Sequence, residues 1–113
     1  MILIEYNGDI CPVNQKYCSR NFVLSARYRN FKTNLGWVAK QNYSGKLLTG
    51  DLAVKIQFWY PKTMDIDAPI KPIFDALNNV VWEDDKQIKK LSVEKNKGDS
   101  YKLIIIIEAK TTI

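Results

Sequence analysis

Six of the twelve acidic residues fall between positions 65 and 85: Asp65, Asp67, Asp75, Glu83, Asp84 and Asp85. One cation, Lys71, lies inside that stretch. Carboxylates crowded together repel one another, and a hard cation relieves the repulsion because carboxylate oxygens are its preferred ligands. The rest of the chain is basic. The formal net charge is +5, and residues 1–50 hold seven cations against two acids, whereas residues 51–113 hold ten of each. A cationic surround draws in a polyanion. The two features together predict metal-dependent chemistry on nucleic acid. Magnesium commonly sits on one or two carboxylates, some waters and substrate phosphate oxygens. So placed, it polarises a phosphate and activates a water for in-line attack.

Each piece also has a plainer reading. Asp65 and Asp67 precede a helix, where capping and the helix dipole favour acids. Lys71 and Asp75 are four apart on that helix, the spacing of a surface ion pair worth at most about 0.5 kcal/mol. Asp84-Asp85 suits a turn. The whole set in this order outweighs the separate readings. In an extended loop Asp65 and Asp67 share a face, since side chains two apart point the same way, and Asp84-Asp85 arrives from a separate element to close the site. The chain has no histidine, which excludes Ser-His-Asp and Cys-His catalysis and zinc deamination of the His/Cys type. Cys11 and Cys18 are too few to hold zinc, and in a cytosolic chain they are expected to stay reduced.

The elements that must position these groups can be read from the apolar spacing. The chain of 113 residues is read as one domain, 1–113. Met1 to Tyr6 is a strand candidate, Asn7-Gly8-Asp9 a turn, Pro12 to Tyr17 a loop and Phe22-Val23-Leu24 a short strand. Ser25 is placed to cap a helix whose stripe is Tyr28, Phe31, Leu35 and Val38. Trp37 lies off that stripe on a polar face, which hints at an interface. Leu52 to Tyr60 alternates as a strand, with Leu52, Val54, Ile56 and Phe58 on one side. A second helix spans roughly Pro69 to Asn78, and Val80 to Trp82 begins an extended stretch. Ile88 to Glu94 and Tyr101 to Ala109 read as a C-terminal β-hairpin turning at Gly98. Leu103 to Ile107 is apolar on both faces and belongs centrally in a sheet. The expected fold is α+β: a single small domain with a mixed β-sheet, two helices and that hairpin. No apolar run is long enough to span a membrane. Met1-Ile2-Leu3-Ile4 is followed at once by Glu5 without a basic lead, so no secretory leader is expected and the protein is read as cytoplasmic.

The string Asp65-x-Asp67, Lys71, Asp75-Ala76-Leu77, then Trp82-x-Asp84-Asp85-x-Gln87-Ile88, resembles the signature of the RusA family of Holliday-junction resolvases. Pro12 to Tyr17, and Phe22 to Ser25 followed by a helix, resemble that family's N-terminal part, so the likeness covers nearly the whole chain. It implies a small homodimeric endonuclease, bacterial and commonly carried by phages or prophages, that cuts four-way DNA junctions in two strands with Mg²⁺, or Mn²⁺ in its place. It implies that Asp65, Asp67 and Asp85 are the metal-binding carboxylates, that Lys71 is the catalytic lysine, and that Asp75 and Asp84 are accessory. Lys71 is suited to hold the scissile phosphate or to offset charge developing in the transition state. The basic N-terminal half, with Lys16, Arg20, Arg27, Arg29 and Lys32, is the expected DNA-contacting surface. Two positions depart from the family pattern: Ala68 stands where Asn is usual, and Pro72 follows Lys71 directly. The alternatives are a nuclease for flaps or other branched DNA, and a structure-specific DNA-binding protein of weak activity.

Overall fold

The alternation from Leu52 to Tyr60 makes the strand around which the sheet is built. In the computed structural model, which describes residues 1–18 and 23–110, this strand β4 (Leu52–Tyr60) buries Leu52, Val54, Ile56, Phe58 and Tyr60 on one face. Four strands and their order follow from it. We number β1 (Ile2–Asn7), β2 (Tyr17–Cys18), β3 (Val23–Leu24), β5 (Ile88–Lys97) and β6 (Lys102–Ala109). The main sheet has the order β1-β6-β4-β5. β6 is antiparallel to both neighbours, with Ile105 opposite Ile4 on one side and Ile56 on the other. β5 runs parallel to β4. The sheet is therefore mixed, and β6 is central, as its two apolar faces require.

The last two strands run in opposite directions but do not pair with each other, because β4 lies between them. The expected direct hairpin is replaced by a crossing of residues 98–101 over the end of β4. Two strand spacings are about 10 Å, and four residues reach about 13 Å, so the short link suffices. The arrangement suits the side chains. β5 carries Lys89, Lys90, Lys95 and Lys97, which belong on an edge strand, while β6 needs apolar partners on both sides. Gly98 sits where the crossing is tightest. Its N–H donates to the Tyr60 carbonyl at 3.1 Å, and a Cβ there would lie 3.3 Å from Cβ of Trp59.

Helix α1 (Ala26–Asn42) starts where expected: Ser25 Oγ accepts the Tyr28 N–H at 3.0 Å. Tyr28, Phe31, Leu35 and Ala39 are buried, and Val38 packs against the core from its edge. Phe31 meets Tyr6 of β1 edge-on, with ring centroids 5.7 Å apart. Gly36 lies against α2 (Ile70–Leu77), where a Cβ would stand 3.7 Å from the Ala76 carbonyl oxygen. Both helices cover the inner face of the sheet. Pro72 is the third residue of α2, inside the first turn, where its missing N–H has no helical partner to lose.

Besides the hairpin, one expectation changes and one is refined. The segment Val80–Trp82 is not extended: it turns, with Asn79 in the left-handed region at φ 63°, and Trp82 is fully buried. Part of the loop before Tyr17 is a 3-10 turn, Val13–Gln15. Phe22 and Arg20 lie outside the described residues. Cys11 is a free, buried thiol, and among the described residues no helix is long and apolar enough to cross a membrane.

The facing of β6 gives a direct test. Ile105 is fully buried on the inner face, while Ile104 points to the outer face and is partly exposed. Ile105→Ala is expected to cost about 2–5 kcal/mol, and Ile104→Ala less than about 1 kcal/mol, read from urea unfolding midpoints. Equal costs would refute this register.

Candidate active site

The acidic loop lies between the end of β4 and the start of α2. It is not extended. The Asp65 carbonyl accepts the Ala68 N–H at 3.1 Å, and the Asp67 carbonyl accepts the Ile70 N–H at 3.2 Å, so two turns follow one another. Asp commonly opens such turns, and Pro69, at φ −88° and ψ −4°, is the third residue of the second. The directions of Asp65 and Asp67 are therefore set by turn geometry and not by alternation along a strand. Both are exposed. The loop is tied down from the other side of the fold by Val13, whose N–H donates to the Ala68 carbonyl at 2.7 Å. The Ala68 side chain packs against the core, and Asp65 lines a small cleft with Pro12, Asn14 and Gln15.

Behind this loop stands a second cluster, centred on Asp75. Tyr28 of α1 donates its hydroxyl to Asp75 Oδ2 at 2.6 Å. Lys16 Nζ reaches the same oxygen at 3.2 Å, and Lys71 Nζ, one helical turn before, reaches Oδ1 at 3.4 Å. Lys71 Nζ also lies 3.1 Å from Asp85 Oδ2. Lys71 thus bridges the two acidic elements, and with more than half of its side chain exposed it stays open to an anion from solvent. Its bond to Asp85, aided by the charges of Asp75 and Asp85, holds the ammonium above its ordinary pKa. Burial works against ionising Asp75, but the bonds from Tyr28 and Lys16 and the charges of Lys16 and Lys71 outweigh it, and its pKa is lowered. Burial, then the bond to Asp75, pushes the Tyr28 phenol above its usual value, which keeps it a donor.

Asp84 and Asp85 are presented by a 3-10 turn, Asp85–Gln87, with a reciprocal cap. Asp84 Oδ1 accepts the Lys86 N–H at 2.9 Å, and Gln87 Oε1 accepts the Asp84 N–H at 3.0 Å. The backbone bond from Lys86 lowers the Asp84 pKa. Gln87 does more. Its Oε1 also accepts from the Glu83 N–H, and its Nε2 donates to the carbonyls of Leu48 and Gly50 at 2.9 and 3.0 Å. Four bonds from one side chain fix the turn that carries Asp85. Below it, Trp82 donates its indole N–H to Asn78 Oδ1 at 2.6 Å and packs edge-on against Phe74.

The sequence-predicted residues divide into groups. Lys71, Asp75 and Asp85 are in direct contact. Asp65 and Asp67 lie on the neighbouring turns and make no ion pair among the described residues. Hard oxygen donors suit magnesium, so the chemistry of the donors fits. In this arrangement, though, no three acidic or cysteine side chains among the described residues are gathered closely enough to hold a metal ion, and the partner of Asp85 is Lys71. The basic residues also separate. Arg29 and Lys32 are exposed on α1. Lys16 is engaged at Asp75. Arg27 is spent inside the fold: it pairs with both Asp9 oxygens at 2.7 Å and donates to Gln15 Oε1 and the Ile10 carbonyl. The Asp9 bond raises its pKa further. Two residues were named in the sequence without their positioning roles. Gln87 could have been found from its capping-box spacing to Asp84. Tyr28 reads only as part of the apolar stripe, and nothing local marks its hydroxyl.

Comparison with known proteins gives a match to one family, described as endodeoxyribonuclease RusA, over residues 9–108. No match was found among curated proteins.

The Asp75 cluster has a defined pH signature. Because its folded pKa lies below the unfolded value, the unfolded chain takes up this proton first on acidification. Its contribution is complete above the ordinary carboxylate pKa and is lost as pH falls through the lowered value. Asp75→Asn is expected to lower the urea midpoint at pH 6 and to flatten the fall in stability between about pH 4 and pH 2. An unchanged acid limb would refute the coupling. Gln87→Ala is expected to cost about 1–3 kcal/mol, since it strands two carbonyls and two N–H groups.

Proposed function

The chain belongs to the endodeoxyribonuclease RusA family, and on that premise we propose that it resolves four-way DNA junctions with a bound magnesium ion, as one half of a homodimer. Members are Holliday-junction endodeoxyribonucleases, and the protein is an enzyme of that class, acting on branched DNA in recombination. The observation that carries the finer reading is the bridged Lys71: an accessible, firmly protonated ammonium held between Asp75 and Asp85 beside two exposed carboxylates.

In this reading Asp65 and Asp67 hold the ion with Asp85, and Mn²⁺ can substitute. Bound there, the metal would supply Lewis-acid polarisation of the scissile phosphate and a more acidic water. The chain's own groups do the rest. Lys71 keeps its proton and places it against a non-bridging phosphate oxygen, where it offsets the charge that grows in the transition state. Asp75 and Tyr28 hold Lys71 to one side of the acidic loop. Gln87 keeps Asp85 facing it. Arg29 and Lys32 contact flanking phosphates. Two cuts in a symmetric junction call for two sites, and one domain offers one, so a C2 pair matches the symmetry of the substrate. The outer sheet face supports that pairing: Leu3 is half exposed there, and Ile104 and Ile106 are partly uncovered.

One observation favours a weaker alternative, a structure-specific binder of low activity: Asp85 is matched with Lys71 and not with Asp65 and Asp67. Products from a synthetic four-way junction, a flap and a linear duplex, with and without Mg²⁺, separate the readings. Paired nicks in the junction are expected only with the metal. Asp67→Asn should abolish cutting and leave junction binding intact, and Lys71→Ala should slow cutting on the order of 10²-fold. Undiminished nicking by Asp67→Asn would sink the metal assignment. Sedimentation should show a dimer at micromolar concentration that Leu3→Glu disrupts. A wild-type monomer with and without junction DNA would rule the dimer out.

A further inference from the structure

Two shallow grooves meet along the flank of α1 that faces α2. One, about 470 Å³, opens beside Lys16 and Asp75. The other, about 490 Å³, runs on past Arg29 and Lys40 to Trp37. Leu24, Tyr28, Lys32 and Asn78 line both, so the two form one channel leading from the Asp75 cluster along the helix. Its charge is one-sided. Arg29, Lys32 and Lys40 are exposed and make no ion pair among the described residues. The one acid in the lining is Asp75, already matched by Lys16 and Lys71. At the far end Trp37 is 63% exposed, and Lys40 Nζ stands 6.0 Å from its ring centroid.

The geometry points to this channel as the path of a single DNA strand leaving the active site, with Trp37 as the platform on which an unpaired base stacks. The inference rests on the proposed nuclease reading and adds an occupant to it. Lysines and arginines in a row track a phosphate backbone, and an exposed aromatic offers a π-face to any base, whatever its identity. A paired and stacked duplex presents no free base face, so Trp37 rewards only DNA that is locally open, as at a branch point. The same charges argue against a second protein copy on this surface. A two-fold axis through it would bring Arg29, Lys32 and Lys40 up against their own copies. Of the three tryptophans, Trp82 is fully buried and Trp59 is half-buried on β4 and lines neither groove, so Trp37 is the one placed to report on the channel.

The test is made without divalent metal, so that nothing is cut. Wild type, Trp37→Ala, Trp37→Phe and Lys40→Gln are titrated with a short oligothymidylate, a four-way junction and a linear duplex. Trp37→Ala should bind the oligothymidylate about tenfold more weakly, with duplex affinity unchanged and Trp37→Phe largely restored. Lys40→Gln should reduce the slope of log affinity against log salt by about 1. Wild-type tryptophan fluorescence should be quenched by the oligothymidylate and that of Trp37→Ala should not. If Trp37→Ala binds oligothymidylate as wild type does, or loses duplex binding equally, the inference is overturned. A shift of the DNA-free sedimentation coefficient with unchanged oligothymidylate affinity would overturn it in favour of a dimer surface. Failure of the wild type to cut junctions in Mg²⁺ would instead remove the resolvase reading while the oligothymidylate result stands.

Discussion

One carboxylate ties the working parts together. Asp75 is the point where α1, α2 and the segment after the first 3-10 turn meet, through Tyr28, Lys71 and Lys16. Two ammonium groups so close repel each other unless an anion stands between them, and Asp75 is that anion. Its side chain is only 14% exposed, so the interaction is screened less than a surface pair. A neutral residue at that position would leave two lysines facing one another in a partly buried pocket. The position of Lys71 relative to Asp85, and of Lys16 relative to the acidic loop, follows from this one contact.

A second constraint is the division of the basic residues into two kinds. Arg27 looks like its neighbour Arg29 in the sequence, yet it closes the fold by clamping Asp9, Gln15 and Ile10, while Arg29 stays in solvent. The difference is one of helical phase: Arg27 is turned towards the strand and loop, whereas Arg29 and Lys32 face the channel. A count of basic residues therefore overstates the surface available to DNA. The effective field comes from the residues that have no acid to satisfy.

The sheet's central strand, the capped helix and the placement of β6 were legible because each is a matter of local period or apolarity. Leu52 to Tyr60 alternates, Ser25 precedes a helical stripe, and Leu103 to Ile107 is apolar on both sides. The partner of β5 was not legible. Adjacent strands with a glycine between them read as a hairpin, and only the competition for β4's free edge decides otherwise. The acidic residues were legible as a group, because composition alone sets them apart. Their subdivision was not. Asp65 and Asp67 lie in turns that alternation cannot describe, and the pairing of Lys71 with Asp85 depends on Gln87 reaching carbonyls far away in the sequence.

The position of β1 has a consequence for how the molecule is made. Its one ladder in the sheet is with β6, where Ile2 faces Ile107, and β6 pairs with β4 along its other edge. Such pairings close long loops, and topologies rich in them fold slowly. The Asp75 cluster draws on Lys16, Tyr28 and Lys71, and Tyr28 belongs to α1, which packs against β1. The cluster is therefore tied, through α1, to a strand whose ladder partner lies at the other end of the chain. Without β1, β6 would lose the ladder partner along one edge and α1 the Tyr6 ring that Phe31 packs against.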